Sequence, residues 1–190
     1  MKTKLIISVI IILLLSACGG SATPQAPTVT PAPAWPEFTS EIGHFSVQLP
    51  STPAEQVQTV SSDAGDIDMY IYMVEKGDAA YGVMFNQMPE EIASLSDEAS
   101  LKLMLDGGRD GALENIGGVL TSEDEISIDS YPGRHIAFAI PEEAISGGGE
   151  GVLRIFIVDG KMYQLIAIGG KGALPAGEVA NFMDSFTLNP

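Results

Sequence analysis

From residue 45 onward, apolar residues recur at every second position in a series of short segments. That spacing turns one side of a strand to a core and the other to solvent. Phe45, Val47 and Leu49 make the first segment, and Pro50 ends it. Residues 55–61 form a second, more polar strand. Asp63-Ala-Gly-Asp66 is turn-like, and residues 67–74 then set Ile67, Met69, Ile71 and Met73 against Asp68, Tyr70, Tyr72 and Val74. An aliphatic face backed by a tyrosine face predicts a strand covered on both sides. Residues 79–88 give a fourth strand after the turn at Gly77-Asp78.

The period then lengthens. Ser96 or Asp97 caps a predicted helix running through Asn115, with Leu101, Met104, Leu105, Gly108, Ala112 and Ile116 along one face. Gly107, Gly108 and Gly111 each lower intrinsic helicity by roughly 1 kcal/mol relative to Ala. They either let the helix approach a sheet closely or divide it into two shorter helices.

Strands return at residues 118–121, 125–128, 134–140, 152–158 and 162–168. Tyr131-Pro132-Gly133 fits a tight turn, and Asp159-Gly160 between two apolar runs is a hairpin signal. A last helix over residues 176–186 sets Val179, Phe182, Met183 and Phe186 on one side, with Glu178 near its start, where the helix dipole favours an acid. About eight strands and two helices, without strand–helix–strand alternation, exclude a doubly wound parallel fold. Hairpin-length connections predict an antiparallel sheet, and apolar residues on both of its faces predict helices on both sides. The fold class is α+β.

Phe45-Ser-Val-Gln-Leu-Pro50, Tyr131-Pro-Gly-Arg134, the hairpin over residues 154–168 and the closing Phe182-Met-Asp-Ser-Phe186 resemble the PsbP-like superfamily. The resemblance covers residues 38–188. It implies a three-layer α/β/α sandwich of the PsbP and Mog1 type. Members include an extrinsic protein of the photosystem oxygen-evolving complex, a nuclear Ran-binding protein and bacterial lipoproteins of unassigned function. Its best-known members bind or assemble with other proteins rather than catalyse reactions. The motifs are structural and carry no catalytic residue over to this chain.

The first residues follow another logic. Lys2 and Lys4 precede an apolar stretch over residues 5–15, about half of what a helix needs to span a bilayer, so residues 1–17 read as a signal peptide. Leu15-Ser16-Ala17-Cys18-Gly19 resembles the bacterial lipobox, which implies cleavage before Cys18 and lipid on its sulfur. Residues 18–36 carry five prolines and no charge, the composition of an extended tether, and removing residues 19–35 should leave stability essentially unchanged. Trp35, at its end, either packs on the domain or stays an exposed tip. Residues 37–190 form the single predicted domain, held outside the cytoplasm at the cell envelope.

Charge narrows the partners. The chain carries 9 basic and 25 acidic residues and a net charge of −16. Cleavage removes two lysines and no acid, leaving −18. Nucleic acid is excluded, because no basic stripe exists to neutralise phosphates, and anionic headgroups would repel the domain. A protein partner would present a basic or neutral surface. One Cys rules out a disulfide framework.

Catalytic chemistry has little to stand on. His44 and His135 are the only histidines, no Gly-x-Ser-x-Gly occurs, and Gly147-Gly-Gly-Glu-Gly151 lacks the Lys-Ser or Lys-Thr of a phosphate loop and reads as a connection. No catalytic residue and no cofactor are assigned. Two acidic groups have oxygen ligands suited to Ca²⁺ or Mn²⁺: Asp63, Asp66 and Asp68, and the run Glu123-Asp124-Glu125. Neither has EF-hand spacing, and a solvated acidic face is the plain reading of each. The expected function is a lipid-anchored extracytoplasmic binding or assembly accessory protein. A structural or stress-related envelope lipoprotein and an enzyme with an unrecognised site are the alternatives.

Overall fold

The computed structural model describes residues 35–190 apart from 63 and 64. The signal segment, Cys18 and the tether up to residue 34 lie outside the described residues, as does Asp63.

In chain order the described elements are β1 (Glu37–Ser40), β2 (Phe45–Gln48), β3 (Ala54–Ser62), β4 (Gly65–Lys76), β5 (Ala79–Gln87), α1 (Glu90–Ala93) and α2 (Glu98–Ile116). They continue with β6 (Val119–Ile128), β7 (Tyr131–Ile140), β8 (Gly149–Val158), β9 (Lys161–Gly170), α3 (Ala176–Asp184) and β10 (Thr187–Leu188). Seven strands form one antiparallel sheet in the order β3-β4-β5-β9-β8-β7-β6, and β1-β2-β10 form a small second sheet. The large sheet is two meanders, β3 to β5 and β6 to β9, that meet where β5 pairs β9 and are connected through α1 and α2.

Alternation along the strands divides the core. On one face, Tyr72, Val74, Tyr81, Val83, Phe85, Phe156 and Leu165 pack against the small sheet and against Phe182, Met183 and Phe186 at the end of α3. On the other, Ile136, Phe138, Leu153, Ile155, Ile157 and Ile166 pack against Leu105 and Leu113 of α2. The antiparallel sheet is therefore flanked by helices on both faces, an α/β/α sandwich. Phe45, Val47 and Leu49 are all fully buried, as their alternation requires.

The helix over residues 98–116 is one continuous element. Asp97 caps it, accepting from Ser100 N–H at 3.0 Å and from the Ser100 hydroxyl at 2.6 Å. These bonds hold its carboxyl below the usual carboxylate range. The helix closes at Gly117 in the left-handed region, φ 63°. Of its three glycines only Gly108 lies on the sheet side, where an added Cβ would sit 3.0 Å from the sulfur of Met162. Gly107 and Gly111 face open space.

Several boundaries differ from the sequence reading. The segments expected at 118–121 and 125–128 merge, from Val119 on, into one strand, β6, with a bulge between Leu120 and Ser122. The acidic run that separated them is itself part of the edge strand. Residues 131–133 are strand and not turn, because the hairpin reverses at Asp129-Ser130, with Asp129 at φ 51°. Pro132 is accommodated because the β7–β8 ladder begins only at Gly133. Gly149 and Gly151 lie inside β8, so the glycine run is only partly a connection. The short β1, α1 and β10 were not predicted.

The β7–β8 pair explains two of those glycines. Gly133 lies opposite Phe156, and Phe138 lies opposite Gly151, so each ring covers a cross-strand glycine on its own face of the sheet. A Cβ would stand 2.4 Å from the Phe156 ring at Gly133 and 2.2 Å from the Phe138 ring at Gly151.

Candidate functional site

α3 does not cover the whole of its side of the large sheet. Between the helix and the outer strands runs a groove of about 530 Å³. Ala137 and Ala139 of β7 and Val152 of β8 form its floor, and Val179, Ala180 and Met183 of α3 form one wall. The period of two places His135 and Arg154 directly opposite each other on this face.

Arg154 fastens sheet to helix. Its Nη1 donates to the Met183 carbonyl at 2.8 Å, its Nη2 to Asp184 Oδ1 at 2.8 Å, and its Nε to His135 Nδ1 at 3.2 Å. A cation at the carbonyl end of a helix is favoured by the helix dipole. Because His135 Nδ1 accepts, the neutral ring carries its proton on Nε2. Burial, and then the charge of Arg154, hold His135 below its ordinary pKa, against the opposing pull of Asp124 and Asp184. Such a ring is a weak base and serves better as a neutral hydrogen-bond donor. At another point of the groove, Glu150 accepts from Gly172 N–H at 3.0 Å.

The opposite face holds an ion cluster that the sequence reading missed. Glu123 receives Arg109 Nη1 on Oε2 at 2.7 Å, and its Oε1 lies 3.0 Å from Arg134 Nε, an ion-pair contact without hydrogen-bond alignment. Arg134 also reaches Glu125 at 3.2 Å, and Arg109 reaches Asp106 and Asp110. The acidic run is thus divided by the pleat: Glu123 and Glu125 turn toward two arginines, while Asp124 is paired with His135 on the groove side. A charged residue at position 134, between residues that alternate inward, was the available signal.

The other acidic group is also engaged locally. Asp66 accepts from the Ser61 hydroxyl and Asp68 from the Thr59 hydroxyl, each at 2.7 Å across the β3–β4 pair. Among the described residues no three His, Cys, Asp or Glu side chains come together in a metal-binding group. No helix among them is long and apolar enough to cross a membrane.

Among the described residues, nothing in the buried clusters covers an apolar surface on β4. α2 lies over β7 and β8, while on its side of β4 the half-buried Ile67, Met69 and Ile71 belong to neither buried cluster. Met73 and Met84 continue this surface toward the core. Met73 lies flat across the sheet because position 82 is glycine: a Cβ there would be 2.0 Å from its sulfur. Val60, 43% exposed, extends the surface onto β3, opposite Ile67.

No protein-family model matches the sequence, and no curated protein matches it. Among solved structures, the solution structure of cyanobacterial PsbP (CyanoP) from Synechocystis sp. PCC 6803 aligns over 89% of this chain and 99% of that chain, with 9% identity and a TM-score of 0.50. A crystal structure from Bacteroides thetaiotaomicron aligns over 83% of this chain and 49% of that one, with 13% identity and a TM-score of 0.45. A protein of unknown function from Pseudomonas aeruginosa aligns over 77% and 90%, with 11% identity and a TM-score of 0.38. At 9% identity the likeness to cyanobacterial PsbP is one of fold, and a distant one.

Proposed function

We propose that the protein is an extracytoplasmic accessory protein, anchored by lipid on Cys18, whose domain docks a protein partner through the Ile/Met face of β4 and β5. The observation that carries this reading is the open surface of Ile67, Met69 and Ile71, flanked by Met73 and Met84. Unbranched, polarizable methionines adapt to a partner's shape, and a contiguous half-exposed apolar face on a domain of this size marks an interaction site. The PsbP-like fold supports a binding role. The charge of −16 favours a partner with a basic or neutral surface and leaves attachment to the membrane to the lipid.

The test uses the intact protein in its own membrane. A photoactivatable side chain at Met69 should give a discrete crosslinked product, and the same group at Leu103, 73% exposed on α2, should not. Ile71→Glu should remove the product without lowering the melting temperature. Equal products from both positions, or a product that survives Ile71→Glu, would overturn the reading. Cys18→Ser tests the anchor separately, since it should abolish acyl labelling and move the protein out of the detergent fraction.

The groove along α3 favours a second reading, because about 530 Å³ is within the range of small-ligand sites. An apolar molecule with one acceptor group would lie on Val152 and Val179 and take a hydrogen bond from His135 Nε2. Ligand-induced stabilisation lost in His135→Phe would identify it.

A further inference from the structure

We propose that the free edge of β3 pairs with β3 of a second copy of this chain, antiparallel about a two-fold axis at Gln58, to make one continuous fourteen-stranded sheet. Among the described residues the seven-stranded sheet has two edges, β3 and β6, and they are built differently. β6 carries a bulge between Leu120 and Ser122 and the run Glu123-Asp124-Glu125, with the Glu125 side chain 84% exposed. Bulges and charges are the devices by which proteins prevent strand addition. β3 has neither. Its pairing with β4 runs without interruption from Ala54 to Ser62, and residues 54–61 are all exposed. It contains no Pro, Lys or Arg, and Val57 and Val60 are 61% and 43% exposed.

The sequence of the edge points to a second copy as its occupant. A two-fold axis at Gln58 is the register that overlaps all nine residues. It sets Glu55 opposite Ser61, Gln56 opposite Val60 and Val57 opposite Thr59, so the single carboxylate of the strand never meets its symmetry mate. Every second residue of an edge strand directs its N–H and C=O outward, and in this register those residues face their own kind. Among the described residues, the nearest further acids, Asp66 and Asp68, lie on β4. The two β4 strands would be three strand spacings apart, about 14 Å, which exceeds the screening length of about 8 Å at physiological salt. A basic partner finds only Glu55 here, so this edge is not where the net charge would steer one.

A single strand pair buries less than the roughly 1,200 Å² of a standard interface, so the dimer is weak and concentration-dependent. Both copies are strongly acidic, −16 even for the uncleaved sequence, so added salt strengthens it. That is the opposite of the salt response expected of a steered basic partner.

Cysteine crosslinking of the protein in its own membrane tests this, with the wild-type chain, whose single cysteine is Cys18, as baseline. Gln58→Cys should form a disulfide-linked dimer under mild oxidant at least tenfold faster than Leu103→Cys. Chains with Glu55→Cys mixed with chains with Ser61→Cys should link to each other and not to themselves. Raising the salt should speed both reactions, and Val57→Lys added to Gln58→Cys should slow its dimerisation at least tenfold. Equal rates for positions 58 and 103, or self-linking of the Glu55→Cys chains, would overturn the proposal.

Discussion

The indole of Trp35 meets the ring of Tyr81 edge-on, with centroids 4.9 Å apart and planes at 75°. Trp35 is 8% exposed, Tyr81 is fully buried, and Lys76 Nζ lies 5.2 Å from the indole centroid. Lys76 is paired with Glu178 of α3, which also accepts from the Tyr81 hydroxyl at 3.3 Å. Burial, reinforced by Glu178, pushes the Tyr81 phenol up to about 12. The residue that closes the Pro-rich stretch is therefore part of the core, tied to β4, β5 and α3. Of the two places open to Trp35, packed on the domain or an exposed tip, the structure shows the first.

Trp35→Ala should accordingly lower the unfolding free energy by about 3 kcal/mol in a urea melt, the lower end for a large aromatic truncated in a core. Trp35→Phe should restore most of that loss, because a smaller ring still meets Tyr81. A loss within ~0.5 kcal/mol, the size of an ordinary surface change, would mean that the indole contact contributes nothing.

Arg134 supplies the second prediction. Its side chain is 8% exposed and faces Glu123, itself only 21% exposed. Removing one member of a buried ion pair strands the other, at a cost of about 3–5 kcal/mol. Arg109 remains on Glu123, so Arg134→Met should cost about 2–3 kcal/mol by chemical denaturation. Glu123→Gln introduced into Arg134→Met should recover part of that loss, since the stranded charge is gone. Additive losses in the double variant would show that the two residues act independently.

His135 makes stability depend on pH in a stated direction. Its folded-state pKa lies below the ordinary 6.5, through burial first and Arg154 second, so the unfolded chain binds the proton more readily. The stabilisation is complete above about pH 6.5 and is lost as pH falls through the lowered value. Urea midpoints should decline between pH 7 and pH 5, and His135→Gln, which can still accept from Arg154, should flatten that decline. The lowered carboxyls of Asp97 and Asp106 titrate below 3.8 and leave this window clear. An unchanged slope in the variant would assign the effect elsewhere.

Much of the fold was legible because burial and period coincide. Phe45, Val47 and Leu49 alternate and are buried, and Asp159-Gly160 turns the hairpin its sequence promises, with φ 46° and 76°. The misreadings occur where another force overrides local pattern. β6 looked like two strands because Glu123 and Glu125 break its polarity, but Arg109 of α2 and Arg134 of β7 neutralise them. Tyr131-Pro132-Gly133 looked like a turn because Pro and Gly usually make one. Here Gly133 is needed for the Phe156 ring, and Asp129 adopts the left-handed conformation instead. β1 and β10, four and two residues long, have no period to read and exist by pairing with β2. The candidate site was the least legible part. The Ile/Met alternation was visible along residues 67–73, but whether a helix covered it depended on where α2 came to lie.

Gly133 allows a test of that close approach. A Cβ there would stand 2.5 Å from the Ile155 carbonyl oxygen as well as 2.4 Å from the Phe156 ring. The ring can rotate, but a backbone oxygen of β8, a strand paired with both β7 and β9, cannot move without disturbing two strand pairs. Overpacking of this kind typically costs about 1–3 kcal/mol, and Gly133→Ala should fall at the upper end. Phe156→Ala in the same chain relieves the ring clash and leaves the carbonyl clash, so it should recover little and add its own cavity cost. Gly151→Ala, whose nearest atoms are all in the Phe138 ring, should instead be milder, because a side chain can yield. Denaturant melts of the two single variants should therefore rank Gly133→Ala as the more destabilised, and the reverse order would show that the β7–β8 backbone is free to separate there.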